Sequence, residues 1–389
     1  MHRFKIAIIH PQLIGGGGSE ACALWSVEAL KNDYNVFLIT MGTVNLKRLN
    51  EYFGTNLNEN EITIISIPIP KLFKTRFDAL RSYKLARFCK KIAPKFDLMI
   101  SSYNIMDFGG KGIQFVADFS FDDKLRRAFD FGQKSLKRWF YRESFFRKCY
   151  IKFSKILSET SEEGWKKNLT IANSKWTSKI FKKYYGVDSV VIYPPVIGEF
   201  PNIPWNKKEN GFLCIGRLSP EKQIENIIKI LREVKKNNLD IHLHIVGRVD
   251  DSSYAKMLKR LCDENSNWCF LGGEVYAQRK LELIARHKFG ISGRKNEPFG
   301  IAVAEMVKAG CIVFVPDGGG QTEIVNNDQL IYKDEEDAIR KIENVLMDSD
   351  IQIELKEQLL KNSPKFSIIN FQQSIKEIVE ELLKENHIS

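Results

Sequence analysis

Two α/β domains, each a doubly wound parallel sheet flanked by helices, are predicted for this 389-residue chain by three observations. Short apolar stretches alternate with amphipathic ones along the sequence, which is the pattern of successive βαβ units. One segment, "VIYPPVIGEFPNIPWNKKENG" (191–211), interrupts that rhythm with prolines and polar residues, and the chain is longer than one core usually serves. Glycine runs stand just after two of the apolar stretches, at Gly15–Gly18 and Gly318–Gly320, where open α/β sheets receive ligands.

In chain order, the first half offers "KIAIIH", "YNVFLIT", "EITIISIPI", "FDLMISS", "GIQFVAD" and "LTIANS" as strands with helices between them. The glycine run follows the first of these. Glycine costs backbone entropy and packs no side chain, so the run is either a flexible turn or a place where backbone approaches a ligand. Ser19 opens a helix there, and the free N–H groups of a helix start favour phosphate or sugar oxygens. After the proline-rich segment the pattern restarts. "GFLCIGR", a helix at 220–237, "IHLHIVG", a helix at 253–265, "WCFLGG", a helix at 276–286, "FGISG", a helix at 300–309 and "CIVFVPD" make a second doubly wound sheet. The expected domains are 1–196, a linker at 197–209, 210–370, and a C-terminal helix at 371–389 that packs back on the first domain. Two such domains place a cleft between the carboxyl ends of their strands.

Composition narrows the function. No apolar run reaches the ~18 residues of a membrane span, and the opening "MHRFKIAIIHPQ" is too short for a signal peptide, so a cytoplasmic protein is expected. The seven cysteines are scattered without a C-x-x-C pair, and His242 and His244 alternate along one strand, where packed or surface histidines are expected. No metal site follows from these residues. The net charge of +11 is uneven: residues 1–206 carry +13 and residues 207–389 carry −2. The excess lies in "KLFKTRFDALRSYKLARFCKKIAPK" and "KLRRAFDFGQKSLKRWFYRESFFRKCYIKFSKIL". In the second, Leu125, Phe129, Leu136, Phe140, Phe146, Tyr150, Phe153 and Leu157 recur at helical spacing beneath a basic face. Three readings stay open for these segments: aromatics packed in the core under solvated charges, a helix on an anionic lipid surface, and nucleic-acid binding. No recognition module of a known kind supports the third.

The second half supplies the chemistry. In "GRLSPEK", Arg217 and Lys222 stand five residues apart across a helix start, so both cations can meet one anion. In "EPFGIAVAE", Glu297 follows a strand, Phe299, Gly300 and Ile301 open a helix, and Glu305 lies on its second turn. A carboxylate can hold sugar hydroxyls while a helix start receives a phosphate.

These segments resemble the retaining glycosyltransferases of family 4, which have the two-Rossmann GT-B fold, and the resemblance spans nearly the whole chain. Its most specific part is the Glu-x7-Glu motif "EPFGIAVAE". The resemblance implies that Glu297 contacts the donor sugar, that Glu305 contacts the ribose, and that Arg217 and Lys222 bind the diphosphate. It also implies that Gly16, Gly17 and Gly18 of "GGGGSE" let the first domain approach a ligand across the cleft. "GGGGSEACALW", "ANSKWTSKIF", "VIYPPV" and "GGGQTEIV" are similar to the branch of α-1,2-mannosyltransferases that act on dolichol- or polyprenol-linked oligosaccharides. That branch implies GDP-mannose as donor, a polyprenol-linked glycan as acceptor, and peripheral attachment to the cytoplasmic membrane face. A UDP-sugar donor in cell-surface polysaccharide synthesis is the alternative within the family, and a non-catalytic nucleotide-sugar or glycan binder is the alternative outside it. A sugar-nucleotide epimerase would share the two sheets without reason for the Glu-x7-Glu loop.

The implied reaction needs no metal, and no DxD-like motif is present in the cleft loops. Arg217, Lys222 and helix N-termini would stabilise charge on the leaving nucleotide diphosphate. The branch carries a histidine after the strand matching "GIQFVAD", and this chain has Ala117 and Asp118 there. Asp118 either takes over part of that hydrogen bonding or caps the following loop.

Overall fold

The computed structural model describes residues 3–14, 16–69, 78–129, 144–237, 239–249 and 251–388. The chain divides into two compact units. The first holds a seven-stranded sheet in the order β3-β2-β1-β4-β5-β6-β7, formed by Lys5–His10 (β1), Asn35–Met41 (β2), Ile62–Ile67 (β3), Leu98–Ser101 (β4), Ile113–Val116 (β5), Leu169–Ala172 (β6) and Val190–Val191 (β7). All pairs are parallel; β1 aligns Ile8 with Leu38 on one side and with Ile100 on the other. A parallel strand is covered on both faces and reads as an unbroken apolar run. Ile6, Ala7, Ile8 and Ile9 accordingly have no exposed surface.

The helix Gly18–Leu30 is apolar nearly all round, with Ala21, Cys22, Ala23, Leu24, Trp25, Val27, Ala29 and Leu30 buried. Its packing explains the pattern, because β1 touches one side and the last helix, Ile368–Ile388, touches another. That last helix belongs to the first unit. It buries Phe371, Ile375, Val379, Leu382 and Leu383, which recur at helical spacing, and the Phe371 ring lies 6.5 Å from that of Phe115. Lys376 closes the contact with an ion pair to Asp33 at 2.8 Å.

The second unit is built mainly from Val196–Ser367. Its six-stranded sheet runs β10-β9-β8-β11-β12-β13, from Glu209–Ile215 (β8), His242–Val246 (β9), Cys269–Leu271 (β10), His287–Ile291 (β11), Ile312–Pro316 (β12) and Ile331–Tyr332 (β13), again all parallel. The fully buried rings of Phe212, Phe289 and Phe314 mark its core, with Phe212 stacked on Phe289 at 5.1 Å. Two-residue strands such as β7 and β13 carry no periodicity, and neither is anticipated from sequence.

Two differences from the sequence reading bear on function. The helix expected at 220–237 is interrupted: Pro220–Lys222 is a 3₁₀ turn, Gln223 takes a left-handed φ of 50°, and the α-helix runs Ile224–Lys236. The break sets Lys222 on its own turn ahead of the helix. The second difference concerns the basic aromatic segment. Leu125 is buried, but in the helix Phe145–Ser158 it is Ser154 and Ser158 that are buried, while Phe145, Phe146, Phe153 and Ile156 are each at least 60 % exposed. Hydrophobic spacing identified residues that share a face but not which face turns inward. Tyr150, whose hydroxyl accepts from the Leu80 N–H at 3.1 Å, and Arg147, paired with Asp123 at 2.8 Å, anchor the helix from the other side. Core packing therefore does not account for Phe145, Phe146 and Phe153, while Leu125 does pack inward. Leu136 and Phe140 lie outside the described residues.

Candidate active site

The strand order of the second unit reverses between β8 and β11, so the loops leaving their carboxyl ends diverge and open a crevice. The loop after β8 carries Arg217 and Lys222; the loop after β11 carries Arg294 and Glu297. They meet: Lys222 Nζ lies 2.6 Å from Glu297 Oε2, and Arg294 Nη1 lies 3.4 Å from Glu297 Oε1. Burial alone would push the Glu297 carboxyl up, but Arg294, Lys222 and Arg217 outweigh it and hold it at about 2. Glu297 is thus a fixed anion inside a group of three cations. Arg217 pairs with Glu221 at 3.6 Å and is half-exposed.

Backbone geometry holds this group in place. Gly319 has a φ of +81°, and a Cβ there would stand 2.4 Å from the Glu297 carbonyl oxygen, so only glycine lets the two loops touch. The neighbouring Gly320 N–H donates to that carbonyl at 2.8 Å. The buried Gln321 side chain donates to the Arg294 carbonyl at 2.6 Å and accepts from Ser292 Oγ at 2.9 Å. The second glycine run therefore fits one loop against another.

Gly300 caps the helix Ile301–Lys308 and Ile301 begins it. The Phe299 side chain is buried against Phe366, with rings 5.6 Å apart, so its backbone is the part that faces the loop. Glu305, on the same helix, takes Lys280 Nζ at 2.6 Å on Oε1. Its Oε2 is buried with no hydrogen-bond partner among the described residues, which leaves an acceptor ready for a hydroxyl. Arg294 and Lys280 belong to no motif legible in the sequence. Arg294 stands three residues before Glu297; Lys280 is 25 residues from its partner and gives no local signal.

In the first unit the order reverses between β1 and β4. Gly17 caps the helix Gly18–Leu30, and the buried Glu20 carboxylate accepts from the Ile14 N–H at 2.6 Å and the Gly17 N–H at 2.8 Å. Part of the amide set of the glycine loop is thus occupied by the chain's own carboxylate. His10 ends β1, with Nε2 3.2 Å from Ser19 Oγ and its ring edge-on to Tyr103. Burial lowers it to about 4, so it is neutral at ordinary pH. No spacing marks this histidine in the sequence, where it stands five residues before Gly15. Asp118 Oδ1 accepts from the Ser120 N–H at 2.9 Å, the local turn of the capping alternative.

The expectation that the histidines form no cluster needs correction. Among the described residues, Glu209, His242, His244 and His287 bring one ligand atom each within 4.8 Å of one another, away from the loops above. Glu209 and His287 are distant in sequence, so only folding reveals the group.

The chain is similar to known proteins in sequence and in fold. A family model described as "Glycosyl transferases group 1" matches residues 198–366. The chain is 24% identical to the GDP-Man:Man(3)GlcNAc(2)-PP-Dol alpha-1,2-mannosyltransferase of Homo sapiens, over 56% of this chain and 49% of that one, so it spans about half the length of the human protein. The enzyme of the same name from Dictyostelium discoideum is 20% identical over 99% of this chain and 87% of its own. Among solved structures, Anabaena HepE in complex with UDP and glucose superposes with a TM-score of 0.67 and 15% identity, covering 97% of this chain and 100% of that one. Sucrose-phosphate synthase from Thermosynechococcus elongatus gives 0.71 and 15%, covering 98% and 100%. The fold is GT-B, with two Rossmann-like α/β units.

Proposed function

We propose that this chain, a glycosyltransferase of GT-B fold, moves a hexose from a nucleotide-diphosphate sugar to a glycan acceptor with retention of anomeric configuration. The observation that carries the proposal is the group of Arg217, Lys222 and Arg294 around Glu297 at the switch point of the second sheet. A diphosphate arriving there exchanges Lys222 from Glu297 to phosphate oxygens, and the freed carboxylate accepts from hydroxyls of the sugar. The buried Glu305 Oε2 suits a ribose hydroxyl. As the glycosidic bond to the donor breaks, the cations and the helix start at Ile301 stabilise the charge gathering on the leaving diphosphate. The acceptor hydroxyl attacks from the face the phosphate leaves, and a phosphate oxygen takes its proton. Asp118, engaged in its turn, is proposed to shape the first unit's loop.

Two donors are supported by different likenesses. HepE holds UDP and glucose, which favours a UDP-hexose; the sequence relatives named as GDP-Man enzymes favour GDP-mannose. Thermal unfolding of the purified chain with UDP-glucose, UDP-GlcNAc and GDP-mannose decides between them, because a ligand of the folded state raises Tm. One donor should raise it at concentrations that leave Glu305→Ala unshifted. Equal, small shifts with all donors in both proteins would refute a specific donor site.

The acceptor is proposed to be lipid-linked and reached at an anionic membrane surface. The exposed Phe145, Phe146, Phe153 and Ile156 share their helix with Lys148, Lys152 and Lys155, the composition of an interfacial helix. Beside it a pocket of about 270 Å³ has apolar walls from Met41, Ile69, Leu80 and Leu157 and a basic rim of Arg81, Lys84 and Arg87. No helix among the described residues is long and apolar enough to cross a membrane. Co-sedimentation with vesicles should rise with anionic lipid, fall with salt as the attraction is screened, and drop severalfold in Phe146→Ser/Phe153→Ser. Binding that ignores lipid charge and both substitutions would remove the membrane from the account.

A further inference from the structure

We propose that Glu209, His242, His244 and His287 form a zinc site at the amino-terminal edge of the second sheet, separate from the donor loops. Glu209, His242 and His287 are the first residues of the three adjacent strands β8, β9 and β11, and His244 follows on the same face of β9. β8 runs through seven residues from Glu209 to Ile215, which puts this edge roughly 20 Å from the loops that carry Arg217 and Lys222. A metal here ties strands together and does not touch the donor.

Each ligand atom is already aimed. The buried His287 ring contacts the Leu283 carbonyl through Nδ1 at 2.7 Å; a carbonyl only accepts, so Nδ1 carries the proton and Nε2 keeps its lone pair. That lone pair faces His244 Nδ1 at 2.7 Å and Glu209 Oε2 at 3.8 Å. A backbone acceptor on the far nitrogen is the usual way a metal-binding imidazole is oriented. Glu209 is held in the same manner: Arg286 Nε donates to Oε1 at 2.9 Å, turning Oε2 towards the histidines. His242 Nε2 stands 3.4 Å from Oε2 and is buried without a hydrogen-bond partner among the described residues. The ring lies over Gly211, where a Cβ would come within 2.1 Å of Nε2, so any larger residue would expel it.

The dimensions suit the ion. Tetrahedral zinc with bonds of about 2.0–2.1 Å needs ligand atoms about 3.3–3.4 Å apart; three of the spacings, 2.7, 3.4 and 3.8 Å, bracket that value, and all four atoms lie within 4.8 Å of one another, so the group contracts on the ion. Three imidazoles and one carboxylate are a zinc-type donor set. Binding displaces only the hydrogen bond between His244 and His287: the His244 proton moves from Nδ1 to Nε2, and both facing lone pairs turn to the metal.

The test is zinc binding by the full chain after stripping with chelator, read by equilibrium dialysis and metal analysis, with cobalt(II) as a spectroscopic substitute. One zinc per chain is expected, with a rise in Tm that the donor sugar does not need. Cobalt should give the visible bands of a tetrahedral nitrogen and oxygen site without thiolate charge-transfer absorption. Affinity should fall at least about tenfold in both His242→Gln and Glu209→Gln. Their unfolding in chelator should match the parent's, which separates ligand loss from misfolding. Absence of stoichiometric zinc, unchanged affinity in both variants, or a thiolate cobalt spectrum would each overturn the proposal, and the cobalt spectrum of the unsubstituted chain decides it even if both variants fail to fold.

Discussion

Lys222→Ala is expected to lower turnover about 100-fold, the scale on which removing one preorganised charge from a developing anion is felt. The lysine faces Glu297 at 2.6 Å and is largely covered, so little water is available to replace it when the diphosphate departs. Its loss also leaves Glu297 against Arg294 and Arg217 alone. Arg217→Ala, at a half-exposed position, should cost about tenfold because solvent screens its charge. Steady-state kinetics with saturating donor checks both; turnover within twofold of the parent in Lys222→Ala would remove the diphosphate assignment. The acid dependence has a definite sign. Glu297 is held at about 2 against an ordinary 4.5, so its contribution to stability is complete above about pH 4.5 and is lost as pH falls towards 2. Glu297→Gln should flatten that acid limb while leaving stability at pH 7 lower than in the parent.

Gly319→Val is expected to remove nearly all activity while the fold persists at 25 °C. The φ of +81° is strained for a β-branched residue by about 1–3 kcal/mol, and the added Cβ would have to displace the Glu297 carbonyl from 2.4 Å. Moving that carbonyl breaks its bond from the Gly320 N–H and carries the Glu297 side chain off Lys222. A displacement near 1 Å is enough to cost about 100-fold in turnover, and Tm should fall by roughly 4–10 °C for a unit of this size. Kinetics beside a melting curve separates the two effects. Full activity in Gly319→Val would show that the position of Glu297 does not govern the reaction.

How legible this site was depends on distance along the chain. The sheets could be read because a parallel strand covered on both faces is an unbroken apolar run, as in Ile6–Ile9. Glu297, Lys222 and Arg217 stood out because glycines and helix starts mark the loops that carry them. Residues that act across long separations did not: Lys280 on Glu305, Gln321 on the Arg294 loop, and Glu209 with His287 beside His242 and His244. Glu20 shows a subtler failure. Its position three residues after Gly17 was visible, but that its carboxylate occupies the glycine loop's amides is a fact of side-chain direction. Direction also decides the Phe145–Ser158 helix, whose spacing is legible in the sequence while the side that turns outward is not.

The most direct measurement is the anomeric configuration of the product. The purified chain is incubated with the donor that raises its Tm and a short-chain polyprenyl-diphosphate oligosaccharide, and the new glycosidic linkage is read by NMR. The account predicts one added hexose with the donor's own α configuration, formed at least about 100-fold more slowly by Lys222→Ala. A β-linked product, or an unextended acceptor with every nucleotide sugar and glycan tried, would contradict it.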